Sequence, residues 1–143
     1  MTGPPPIRPF RGSAEDLIEG ALGDLPAPIR WLRGSRMRTQ RGLMDEWAAV
    51  AQFPPYFGGT WDALRDALAD LPEGGTFLIL DADRLFQEAP PIDGITWLAV
   101  LRAVAEELAP KPFRVILQAE ASQFRDLEQG VQALLEGKPE GLN

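Results

Sequence analysis

Three aspartates, Asp62, Asp66 and Asp70, recur at steps of four in the stretch FPPYFGGTWDALRDALADL, residues 53–71. On a helix that spacing stacks the carboxylates on one face, where like charges cost roughly 0.2–0.5 kcal/mol per pair. Such a row is either a solvated face or a set of negative charges that a cationic, concave partner neutralises. The solvated reading accounts well for the first aspartate. Thr60 is a good N-cap, and Asp62 then falls in the first turn, where the helix macrodipole favours an anion. Trp61, Leu64, Leu68 and Leu71 supply the apolar side. Asp66 and Asp70 lie beyond the reach of the N-terminal dipole, and Arg65 alone on this segment can offset them. Tyr56 and Gly58-Gly59 stand just before the helix, an aromatic beside flexible backbone, which suits a contact loop.

A second acidic pair follows an apolar run in TFLILDAD, residues 76–83. Asp81-x-Asp83 after a strand is how haloacid-dehalogenase-type phosphatases place a nucleophile and a general acid around magnesium, so a magnesium-dependent phosphohydrolase is one alternative. Leu85 stands where that pattern has Thr or Val, and no hydroxyl residue, lysine and second acidic pair accompany it. The simpler reading has Asp81 and Asp83 ending a strand, with Arg84 paired to one of them.

Other chemistries are narrowed by composition. The 143-residue chain has no cysteine and no histidine. Thiol nucleophiles, imidazole bases, Ser-His-Asp sets, the usual zinc sites and disulfides are therefore absent. The net charge is −7, and it is unevenly spread: residues 1–52 carry seven Lys/Arg against six Asp/Glu, residues 53–143 seven against fifteen. An acidic surface repels nucleic-acid phosphates and attracts basic proteins. Arg30, Arg33, Arg36, Arg38 and Arg41 are scattered along a strand and a turn, which suits internal ion pairs better than a nucleic-acid face. The N-terminus MTGPPPIRPFRG lacks the apolar run of a signal peptide, and no stretch approaches 18 apolar residues, so a soluble, cytoplasmic protein with no membrane contact is expected.

These residues must be held by a small α/β domain. Residues 1–12, rich in Pro and Arg, read as a loosely docked lead-in. Ser13-x-x-Asp16 resembles a capping box before Leu17, Ile18, Ala21, Leu22 and Leu25, a helical pattern that Gly23 and Pro26 end. PIRWLR (28–33) reads as a strand. A helix from Thr39 places Leu43, Trp47, Val50 and Ala51 on one face and stops at Pro54-Pro55. After the acidic helix, Trp61 to about Leu71, TFLIL has the unbroken apolar character of a strand buried on both faces in a parallel sheet. GITWLAVLRAVAEELA (94–109) is a long helix, FRVILQA a last strand, and SQFRDLEQGVQALLEG (122–137) a closing helix. Trp47, Trp61 and Trp97, and with them Trp31, fall among the apolar positions. Strands separated by helices predict a three-stranded parallel sheet covered by helices, with an extra helix at each terminus. The expected division is 1–27 as an N-terminal extension, 28–119 as the domain, and 120–143 as a C-terminal helix and tail.

The segment Tyr56-Phe57-Gly58-Gly59-Thr60-Trp61-Asp62-Ala63-Leu64 resembles the Tyr-aromatic-Gly-x-Asn-x-Asp-Ala-Leu signature of the barstar family, and Asp66 falls where that family carries its second helix aspartate. The likeness runs in element order from about Ile29 to Gln118. It implies a non-enzymatic, cofactor-free inhibitor that plugs the active site of a basic ribonuclease, or a related basic toxin, with aspartates in place of RNA phosphates. By position, Asp66 would be the central anchor and Asp62 would pair with a neighbouring cation. Tyr56 would pack against the enzyme, Gly58 and Thr60 would add backbone and polar contacts, and Glu107 would form an acidic rim. The chain departs from the pattern at Thr60, where the family has asparagine, at Arg65 and Leu71, where its namesake has aromatics, and at Ala103, where it has a glutamate. Arg65 keeps a further alternative open, an interaction module that retains the fold without nuclease binding.

Overall fold

The computed structural model describes residues 5–20 and 22–135. Its elements run β1 (Ile7–Arg11), α1 (Ala14–Gly20), β2 (Ile29–Arg33), α2 (Gln40–Ala51), α3 (Trp61–Ala69), β3 (Gly75–Leu80), α4 (Pro91–Leu108), β4 (Phe113–Ala119) and α5 (Ala121–Leu135). The sheet is parallel throughout, in the order β1-β4-β3-β2. In the central pairing Phe77 lies opposite Val115 and Ile79 opposite Leu117.

The two central strands are buried along almost their whole length, as an apolar run without alternation requires. The period of two still sorts their side chains. Phe77, Ile79, Val115 and Leu117 join the large core under α2, α3, α4 and α5, whereas Leu78 and Ile116 point to the opposite face and pack with Leu17 of α1. Trp31, Ile29, Leu25 and Phe10 border that smaller cluster. Trp47 and Trp97 are fully buried in the main core, and Trp61 is half-buried against it. The ring of Trp47 lies against Phe77 at 4.6 Å.

The sheet has four strands rather than three. The added strand is β1, inside the segment expected to be a loose lead-in. Its apolar signal is short, because Ile7 is its one buried residue and Phe10 is half-buried. Pro9 argues against a strand only if its missing N–H belongs to the ladder. Val115 N donates to the Pro6 carbonyl and Gly12 N to that of Ala119, so the even-numbered residues bond toward β4 and Pro9 faces the open edge. Gln118, almost fully buried, ties the joint: its Nε2 donates to the Gly12 carbonyl at 2.6 Å and its Oε1 accepts from Asp81 N at 2.9 Å.

Helix boundaries follow local chemistry. Ser13 and Asp16 make the reciprocal capping box, with bonds of 3.0 and 3.1 Å between side chains and backbone N–H groups. Thr39 caps α2 through Gly42 N, and Gln52 in the left-handed region closes it before the two prolines. Pro91 starts α4 three residues earlier than expected, since proline is accepted in a first helical turn. The acidic helix ends at Ala69 rather than Leu71, where Leu71 N bonds back to Leu68 O in a tighter turn ahead of Pro72. Helix α5 begins at Ala121, one residue early. Ala21 and the end of the closing pattern lie outside the described residues.

Candidate partner-binding site

Between α2 and α3 the chain must turn and leave its contact groups outside. Phe53 and Phe57 do this by packing together, ring centroids 4.9 Å apart, against the core, while Phe57 N closes a turn on the Pro54 carbonyl. Tyr56, next to this anchor, is thrown outward and is 87% exposed. An aromatic so free of its own protein has nearly all its surface left for a partner. Gly59 has φ +70°, a left-handed conformation that side chains resist, and it turns the chain into the helix. Thr60 then caps α3: its Oγ1 accepts from Ala63 N at 3.1 Å and its carbonyl from Leu64 N.

Leu64 and Leu68 fix the rotation of α3, because both are fully buried. At 3.6 residues per turn the position opposite their midline is Asp66, about 180° away. Asp66 therefore stands at the crest of the helix, flanked one turn before and after by Asp62 and Asp70. All three are exposed, and among the described residues none takes part in an ion pair or a side-chain hydrogen bond. Asp70 is also the residue that closes the helix, its N–H bonding to the Asp66 carbonyl.

Arg65 does not join this row. Its Nη2 donates to Glu107 Oε1 at 2.5 Å, linking α3 to the last turn of α4. Both side chains are roughly half exposed. Tyr56, Gly58, Thr60, Asp62 and Asp66 are all exposed along the loop and the start of α3, and Glu107 is tied to α3 through Arg65. The contact spans 42 residues of sequence, and no local spacing could have announced it. Between the loop and α2 an open cleft of about 480 Å³ is lined by Gln40, Arg41, Met44 and Asp45 of α2 with Phe57, Gly58 and Gly59.

The other constellations come out differently. Asp81 sits in the left-handed region at φ 52°, with its N–H held by Gln118, and Asp83 is half-buried in the single turn that follows. Arg84 forms no ion pair with either, contrary to the expectation. Among the described residues no group of three or more acidic, histidine or cysteine side chains could hold a metal ion. Of the arginines, Arg38 pairs with Glu88, and Arg30 lies over the Phe77 ring and donates to the Gly74 carbonyl. No helix among the described residues is long and apolar enough to cross a membrane.

Comparison with known proteins adds one finding. The family model described as barstar (barnase inhibitor) matches residues 27–119. No curated protein gives a significant match to the chain. The matched span covers well over half of the sequence, from β2 through the aromatic loop and acidic helix to β4, and leaves β1, α1 and α5 outside. The chain belongs to the barstar family.

Proposed function

We propose that the protein inhibits a basic ribonuclease, or a related basic toxin, by placing the loop at Tyr56 and helix α3 in its active site. The observation that carries this reading is the row of Asp62, Asp66 and Asp70, unpaired among the described residues, on the crest of a well-capped helix that follows an almost fully exposed tyrosine. A free helix loses stability by carrying that row, and a cationic active site built to hold phosphates removes the penalty. Asp66 anchors the contact and Asp62 pairs beside it. Tyr56 supplies the aromatic surface, Gly58 allows close backbone approach, Thr60 adds a polar contact, and Glu107, held by Arg65, bounds the rim outside the direct contact. No cofactor enters this mechanism, which is occlusion and charge substitution rather than chemistry. The family description and the acidic balance of residues 53–143 support the choice of partner. A protein without cysteine suits the reducing cytoplasm, where it would protect cellular RNA.

The test is inhibition of RNA hydrolysis by barnase, the enzyme named in the family description. One-to-one inhibition, competitive with RNA and lost in Asp66→Ala, is expected. Hydrolysis unaffected by a tenfold excess of the protein would move the function to another basic partner.

A further inference from the structure

The acidic face has a boundary that the row of aspartates does not explain. Arg65 lies on α3 between the crest and the α4 side, and its guanidinium is spent on Glu107. Without Arg65, Glu107 would be a half-exposed carboxylate on α4 with no cation from α3 to offset it, and the α4 border of α3 would become negative. With Arg65 it does not. The pair also leaves a half-exposed guanidinium with N–H groups beyond the one bound to Glu107, so the edge of the site offers donors where its centre offers acceptors.

We propose that Arg65 is a specificity residue: by holding Glu107 it withholds that carboxylate from the partner and selects proteins whose cations converge on Asp62 and Asp66. The matching partner is a basic protein with a narrow cationic centre and a neutral or acidic group facing the Arg65–Glu107 edge. A partner that is cationic across its whole mouth meets a like charge there and is rejected, which is discrimination by repulsion as well as attraction. This inference rests on the nuclease-inhibitor reading and refines it.

The experiment measures equilibrium binding to barnase for the wild-type protein and for Arg65→Gln, Glu107→Gln, the double variant and Arg65→Lys, with thermal melting to verify folding. Arg65→Gln is expected to tighten binding about five- to tenfold, the scale of one charge interaction at a partly desolvated interface. Glu107→Gln should change affinity by less than about threefold while Arg65 is present, and by about tenfold once Arg65 is removed, because only the freed carboxylate reaches the partner. Arg65→Lys should keep the wild-type affinity, since the charge that holds Glu107 is retained. Strictly additive effects of the two substitutions, or Arg65→Gln binding no tighter than wild type, overturn the proposal and leave the inhibitor reading intact. No binding by either the wild type or Arg65→Gln overturns both.

Discussion

Among the described residues the Asp66 carboxylate has no partner, which leaves it free to pair with a cation brought by another protein. A side chain opposite two fully buried leucines cannot reach the core, and its helical neighbours at four-residue spacing repel it. Asp66→Ala should therefore leave stability unchanged or raise it by a few tenths, about 0.3 kcal/mol, in thermal unfolding, while costing about 2–5 kcal/mol in partner binding. That range is a general one for buried charge pairs, to which complexes of this family have contributed. Opposite signs for stability and binding distinguish a contact residue from a structural one. Thr60 carries a structural role besides its place in the contact loop. Its Oγ1 satisfies the Ala63 N–H, so Thr60→Ala should destabilise the protein by about 1 kcal/mol, and Thr60→Asn should restore it, asparagine being an equally good cap. Urea unfolding of the two variants reads this directly.

At the scale of elements, the frame of the site was legible because each boundary has a local cause. Thr39 and Thr60 cap their helices, Pro54-Pro55 and Pro72 stop them, and FRVILQA is apolar enough to be nothing but a buried strand. β1 escaped because an edge strand needs only one apolar face and tolerates Pro9 on its outer side, so its pattern resembles a tail. The Arg65–Glu107 pair escaped because it is made between two helices packed in space. The aspartate spacing and the aromatic loop are visible in the sequence, and the roles of Tyr56, Gly58, Thr60, Asp62, Asp66 and Glu107 follow from the family resemblance, whereas the anchoring of that loop by Phe53 and Phe57 became visible only in the packing. The terminal elements lie outside the family match, yet α1 covers the second face of the sheet. Removal of residues 1–25 should uncover Leu78, Ile116 and Trp31. The truncated protein should then melt well below the full chain and bind a hydrophobic dye. A truncated protein as stable as the full chain would show that the N-terminal elements do not support the sheet.

For the molecule as a whole, charge is arranged on a scale longer than any one contact. The net charge is −7, with the acidic excess after residue 52, and a basic partner of the proposed kind would be attracted to it over a distance set by the screening length. The association rate should therefore fall steeply between low salt and roughly 0.5 M salt, where the screening length shrinks to about 4 Å, while the dissociation rate changes far less. Stopped-flow measurement at several ionic strengths separates the two.

Whether Asp66 anchors an inhibitory contact is settled by titrating barnase with the wild-type protein and with Asp66→Ala, followed by calorimetry at low salt and at about 0.5 M salt. One-to-one binding by the wild type that weakens with salt is expected, with at least about a thirtyfold loss of affinity in Asp66→Ala at low salt, equivalent to roughly 2 kcal/mol. Equal affinity of the two proteins, or no heat of binding from the wild type, would contradict such a contact.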